Sequence, residues 1–236
     1  MDRKFYGELL DHHGAGAAAW HAAIRAANRV TRLQIYRGLV VTMQTVDPGL
    51  LTAPRGQFLD PSQLRRFAAN PENDLDAGFV EAAISRSDQC YAFVEGDVLS
   101  SHGWYAMYAP AVVGDTRVHF SSSYAFRYRG FTHPHFRGRH LRAIGMAQAL
   151  EALTADGKKG LVAQVGFEDF HALRACLGVG FRPFGHALLV KLGSGFRAHA
   201  TPGCREYRYR VGPAASAPAG ARVDEPGTLG LDPRTE

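Results

Sequence analysis

Three guanidinium groups stand within six residues at Arg137, Arg139 and Arg142, with Gly138, His140 and Leu141 between them. If this stretch opens a helix, its first turn adds unpaired backbone N–H groups and the positive end of the helix dipole. Cationic side chains and free amides in one turn make an anion site, and phosphate is the anion that such a turn suits best. His133 and His135 flank Pro134 just upstream and read as further anion contacts or as surface groups. Candidates for proton transfer precede the turn: His119, Tyr124 and Tyr128 lie in one β-branched and aromatic run, residues 116–128. His119 has the ordinary pKa closest to neutrality and reads either as a base or as a satisfied strand histidine. His12 and His13 have no acidic or cysteine partner at a ligand spacing and sit beside Gly14, so they read as solvated surface groups and no metal site is expected.

The turn needs a strand before it and a helix after it. Pro134 ends ladder pairing and biases His133 toward an extended backbone, which closes the run before the turn as a strand. Leu141, Ile144, Gln148, Leu150 and Leu153 make a helical stripe after it, ending near Asp156 and Gly157. Upstream, residues 33–46 read as the first strand, and a linker with Pro54 and Gly56 leads to Asp60 and Pro61, an N-cap and first-turn pair. The helix opened there carries Leu64 and Phe67, and a second helix is predicted over 75–87. Residues 90–94, 99–108 and 116–128 predict an antiparallel meander of three strands that delivers the chain to the basic turn. Trp104, Tyr105, Met107 and Tyr108 on its middle strand read as pocket lining or as packing. Downstream come a buried strand over 161–165, a helix over 169–177 closed by Gly178 and Gly180, a strand over 184–192, and an alternating edge strand over 205–211. The order predicts an α/β sandwich on a mixed, mostly antiparallel sheet. Three segments are expected: an N-terminal helical extension over 1–31, built on an alanine-rich stretch with Trp20 and Ile24, a domain over 32–211, and a disordered tail over 212–236.

The extended segment ending at Pro134, the aromatic Phe136, the Arg137–Gly138 pair and the helix start resemble the acyl-CoA pyrophosphate loop of the GNAT family of N-acyltransferases. The family pattern is Arg or Gln, two residues, Gly, one residue, then Gly or Ala. Arg137 and Gly138 match, while His140 and Arg142 stand where the pattern has small residues. A second resemblance follows in the family's order: the 161–165 strand, a helix, and Gly180–Phe181, with Asp169 in a slot that is usually Asn. The resemblance implies a GNAT-like α/β/α sandwich. It also implies an acyl-CoA whose pyrophosphate meets the amides of Gly138, Arg139, His140, Leu141 and Arg142, with charge added by Arg137, Arg139 and Arg142. Phe131 and Thr132 would align the pantetheine arm along a strand that splays from 161–165. Asp169 reads as a cofactor contact or, more strongly, as an N-cap. The family's usual tyrosine acid falls at Cys176, and the 116–128 strand has no carboxylate to act as base, which leaves His119, Tyr128 and Cys176 as catalytic candidates. The implied reaction is direct attack of an amine on a thioester, acetyl-CoA being the first donor to consider. Two other readings stay open: long-chain acyl transfer from acyl-CoA or acyl carrier protein, and a CoA-binding regulator without chemistry.

The composition bounds the rest. A chain of 236 residues, 46% hydrophobic and 21% charged, suits one globular domain. Cys90, Cys176 and Cys204 form no CxxC pair and leave an odd thiol in any disulfide scheme, so a reduced compartment, the cytoplasm, is expected. No apolar run reaches the roughly eighteen residues of a membrane span, and the first residues lack the apolar core of a signal peptide. A net charge of +5 favours anionic ligands without the clustered basic face that duplex nucleic acid requires. The expected partner is a small-molecule amine or peptide acceptor, with a homodimer allowed and neither nucleic acid nor membrane expected.

Overall fold

The computed structural model describes residues 33–192 and 195–214; the expected helical extension, with His12, His13 and Trp20, and the tail beyond residue 214 lie outside the described residues. The chain runs β1 (Leu33–Val41), β2 (Gln57–Leu59), α1 (Pro61–Ala68), α2 (Ala77–Ser85), β3 (Gln89–Glu95), β4 (Val98–Ala106), β5 (Ala111–Val113) and β6 (Thr116–His119). It continues through β7 (Ala125–Thr132), α3 (Leu141–Ala155), β8 (Leu161–Gly166), α4 (Phe170–Val179), β9 (Arg182–Leu192), β10 (Gly195–Ala200) and β11 (Arg210–Pro213). Eight strands make one sheet in the order β10-β9-β1-β8-β7-β4-β3-β2, and β11, β6 and β5 make a second, smaller one. Every neighbouring pair in the large sheet is antiparallel except β7 and β8. This is the mixed, mostly antiparallel sheet that the element order predicts.

Side-chain alternation sorts the core into layers. Tyr91, Phe93, Tyr105, Ala125, Leu161 and Ala163 face the helices α3 and α4 together with Met146, Leu150, Leu153 and Val179. On the opposite face α1 and α2 cover one half of the sheet, where Leu64, Phe67, Val80 and Ala83 pack on Cys90, Ala92, Leu99 and Trp104. The other half is covered by the small sheet, with Val118, Tyr209 and Val211 against Phe126, Val162 and Ala187. The sandwich is therefore helical on both faces, with the three-stranded sheet completing one layer.

Three local readings change. The first strand ends at Val41, short of the expected residue 46, and takes a place between β8 and β9, while the expected linker holds the short β2 that pairs with β3. The interior place suits Leu39-Val40-Val41: Leu39 and Val41 enter the α3 layer while Val40 enters the small-sheet layer, so this end of β1 has no solvent face. The expected strand over 116–128 is two strands in two sheets, because Ser121, Ser122 and Ser123 turn the chain and the Tyr124 amide donates to Ser121 O at 3.0 Å. The alternating 205–211 segment becomes extended only from Arg210, since Arg208 takes a left-handed φ of 49°, and β11 continues to Pro213, past the expected boundary at residue 211.

Terminal chemistry follows the sequence more closely. Asp60 caps α1 by accepting from the Ser62 and Gln63 amides at 2.8 and 2.9 Å, and Gln63 Oε1 accepts the Asp60 amide at 2.9 Å, a reciprocal capping box. Gly180 ends α4 with φ at 104°, and a Cβ there would lie 2.0 Å from Thr45 O, so the glycine is demanded by the chain leaving β1.

His102 of β4 ties the sheet to the turn after α1. It is buried, and its Nε2–H donates to Asn73 O at 3.0 Å; that bond favours the charged ring, but burial outweighs it and pushes the pKa down to about 4, so the imidazole is neutral. The unfolded chain, with an ordinary imidazole near 6.5, takes up this proton first, so stability present above pH 6.5 is lost as the pH falls toward 4. Urea midpoints measured between pH 7 and pH 4 should decline, and His102→Gln should flatten that decline.

Candidate functional site

The parallel ladder between β7 and β8 is short. It joins Ala125 to Leu161, Phe126 to Val162 and Arg127 to Ala163, and stops there. Both strands go on: β7 stays paired to β4 as far as Thr132, and β8 stays paired to β1 as far as Gly166. The break coincides with a β-bulge, because Trp104 faces Arg129 while Tyr105 faces Arg127, which leaves Tyr128 as the extra residue. Past the bulge the strands splay, and among the described residues the edge of β7 at Phe131 and Thr132 has no ladder partner on its β8 side. Ser101 braces this edge from β4, its hydroxyl donating to Phe131 O at 3.0 Å and meeting Thr132 Oγ1 at 3.1 Å.

Beyond β7, His133 caps a single 3-10 turn over Pro134–Phe136, and the chain passes Arg137 and Gly138 to enter α3. Gly138 has φ of 78° with open space where a Cβ would stand. His140 also takes a left-handed φ, 54°, and among the described residues no side chain caps the helix. The departure from the glycine pattern at His140 therefore leaves the backbone as a glycine would place it, at some strain. The first-turn amides remain available to an anion. Arg139 is exposed, pairs loosely with Glu95 at 3.6 Å and lies over the Phe136 ring at 5.2 Å.

Arg142 does not join this outer cluster. Its side chain turns under α3 into a half-open cleft that is also lined by Tyr91, Phe93, Ser101, Tyr105 and Arg127. Its neighbour there is Arg127, whose charge is the main reason that the Arg142 pKa drops to about 10, burial being the second. Cys176 of α4 belongs to the same layer, and burial pushes its thiol up against the pull of Arg127 and Arg142. Asp169 is held by its own helix, its Oδ1 accepting the Ala172 amide at 2.8 Å. Of the two readings for Asp169, the structure shows the N-cap.

The other two catalytic candidates lie elsewhere. Tyr128 is on the opposite face of β7, where its hydroxyl donates to Asp88 Oδ2 at 3.0 Å. Arg86 grips the same oxygen with Nε at 3.0 Å and a terminal nitrogen at 2.7 Å. Asp88 is only 8% exposed, and burial outweighs these donors in holding its carboxyl above the ordinary carboxylate range. Burial, with the Asp88 charge, drives the Tyr128 phenol up, so it stays protonated. His119 is on β6 opposite Arg210 in the small sheet, away from both faces of the bulge, with its pKa lowered by burial and by Arg210 and Arg117. The structure thus gathers Phe131, Thr132, Arg137, Gly138, Arg139, His140 and Leu141 around the splay and turn. Arg142 and Cys176 lie beneath α3 and Tyr128 behind the sheet, and His119 is left out.

Sequence reading misses Arg127 and Asp88. An arginine in the apolar run Ala125-Phe126-Arg127-Tyr128 is the one signal for the first. Nothing local ties Asp88 to Tyr128. Among the described residues no group of three or more His, Cys, Asp or Glu is placed to hold a metal ion, and no helix is long and apolar enough to cross a membrane.

No family model matches the chain, and no curated protein does. Solved structures do. A GNAT-family protein from Novosphingobium aromaticivorans superposes with a TM-score of 0.50 at 14% identity over 78% of this chain and 66% of that one. An acetyltransferase of the GNAT family from Colwellia psychrerythraea gives 0.49 at 13% identity over 74% of this chain and 61% of its own. The chain therefore spans about 61% to 66% of the length of these two proteins. With the sheet order, the bulge and the splay already described, the first superposition shows that the chain has the GNAT fold.

His140 offers a direct check on the turn. An L-residue in the left-handed region costs about 1–2 kcal/mol, a strain that glycine lacks. His140→Gly should raise the thermal midpoint by about 2–4 °C without disturbing the turn, as measured by thermal unfolding.

Proposed function

We propose that this chain is an acyl-CoA-dependent N-acyltransferase, acetyl-CoA being the donor to test first, which transfers the acyl group by direct attack of an amine. The observation that supports it most is the β7–β8 ladder stopping at Arg127 next to an uncapped, cationic helix start. An extended ligand can add to the free β7 edge while its phosphates meet the amides of the α3 turn. Those groups fit a CoA: Gly138 has open space above it, and Arg137 and Arg139 flank it. The thioester would supply an activated carbonyl. The chain's own contribution is placement, with Phe131 and Thr132 orienting the arm and the bulge turning β7 away from β8.

Direct attack is favoured because Cys176, the one thiol near the cleft, is buried with its pKa raised and so is a poor nucleophile. The amine must lose a proton, and the group fixed at the bulge itself is the Tyr128 hydroxyl, held by Asp88. Proton passage along Tyr128 and Asp88 is the arrangement we favour over His119. A regulator that binds CoA without turnover is the second reading, because among the described residues no carboxylate lines the cleft. For the acceptor we propose a small amine or a peptide amine, and for the compartment the cytoplasm.

The experiment is thermal unfolding with CoA, acetyl-CoA, a long-chain acyl-CoA and pyrophosphate, followed by turnover on an amine panel. The midpoint should rise with acetyl-CoA, and Arg137→Ala should weaken CoA about tenfold through loss of a charge-assisted phosphate contact. CoA binding with no turnover on any amine would select the regulator. No rise with any CoA species would sink both readings.

A further inference from the structure

Arg127, which is buried, and Arg142, which is half-buried, face each other with no anion between them among the described residues. Arg127 is 7% exposed. The Nε atoms of both are buried and without a hydrogen-bond partner, and neither arginine takes part in an ion pair among the described residues. Both guanidinium groups come within 3.7 Å of one point, the place a Cβ would occupy on Gly130, with an Arg127 terminal nitrogen at 2.8 Å and Arg142 Nε at 3.7 Å. The carboxylate that acts on Arg142 is Asp169, and its side chain is engaged in capping α4. The charges facing the pair from packed elements are otherwise neutral at working pH: the Tyr105 phenol and the Cys176 thiol are both pushed up by burial.

Burying like charges together is costly, and a structure that keeps them there needs a counter-charge to complete the site. The cleft that both arginines line also has Tyr91, Phe93 and Met146 as apolar walls. It sits at the head of the β7–β8 splay, since Arg127 is the last residue of the parallel ladder. A planar anion with two oxygens on a short carbon stem matches guanidinium donors within such walls.

We propose that Arg127 and Arg142 form a subsite for a carboxylate carried by one of the two reactants, either on the acyl chain of the thioester or on the amine acceptor. The choice of carrier rests on the acyltransferase reading; the carboxylate site rests on the arginine pair. Chemically, the donor would be the thioester of a short dicarboxylic acid, or the acceptor an amino acid bound through its carboxylate.

Thermal unfolding of the full chain distinguishes these. The probes are succinate, glutarate and inorganic phosphate alone at matched ionic strength, succinyl-CoA against acetyl-CoA, and α-amino acids against their amides. At least one carboxylate probe should raise the midpoint by about 2–4 °C more than its uncharged counterpart, the size expected of a ligand a few times above its Kd. That excess should vanish in Arg127→Met. The ligand-free Arg127→Met protein should melt no lower than the wild type, because one of two unpaired cations has gone. If that variant does not fold, Arg142→Met makes the same comparison. A larger excess for succinyl-CoA places the carboxylate on the donor, and a larger excess for amino acids over amides places it on the acceptor. No excess for any carboxylate, or a rise with phosphate alone, overturns the subsite. Arg137-dependent CoA binding without a carboxylate excess leaves the acyltransferase reading standing and removes the subsite. An Arg127-dependent rise with free succinate and none with CoA does the reverse.

Discussion

The site depends on one mismatch in hydrogen bonding: β7 and β8 pair for three residues and then part, while each keeps its outer neighbour. Ladders are cooperative, so a parallel pair inside a sheet would ordinarily zip to its end. The extra residue at Tyr128 prevents this by changing the register of β7 against β4 and bending the strand. Once β7 is bent, its inner edge holds amides and carbonyls that the sheet cannot satisfy. Such an edge in the middle of a sheet is costly unless something pairs with it. The 3-10 turn and the left-handed Gly138 and His140 then follow as the geometry needed to start α3 over the gap.

The bulge also divides the chemistry between two faces. On the α3 side, Arg127 meets Arg142 in a cleft that no carboxylate lines among the described residues. On the other side, Tyr128 and Arg129 both reach Phe79 and find acids, Asp88 for the phenol and Asp74 for the guanidinium at 3.3 Å. Neighbouring residues on one strand thus meet opposite electrostatic surroundings. The positive side suits anionic groups, and the side carrying Asp88 suits a group that must give up a proton.

Much of this was legible beforehand. Local signals placed α1, α3, α4 and β8, because caps such as Asp60 and the terminal Gly180 act within a few residues of themselves. The basic turn that starts α3 was legible for the same reason. What the sequence could not reveal depends on contacts across long separations. Arg142 looked like part of an exposed basic cluster because its neighbours Arg137 and Arg139 are cationic, yet its position on the first turn of α3 points it at the sheet. His119 and Tyr128 seemed to share a strand, and three serines put them in different sheets. The role of Asp88 beside Tyr128 rests on a contact forty residues apart in the chain.

The place of β1 carries a consequence for how the molecule comes into being. Its partners are β8 and β9, with Leu33 opposite Val190 and Val41 opposite Leu161. During synthesis from the N-terminus, β1 leaves the ribosome well before either partner exists, and its Leu39-Val40-Val41 end is apolar on both faces. The segment from β2 to β7 can form its own antiparallel hairpins in the meantime, whereas β1 must wait unpaired for the last third of the sheet. The nascent chain therefore carries an unpaired, partly apolar strand through most of its own translation, and the closing of β1 between β8 and β9 is the step at which aggregation would be expected to compete with folding.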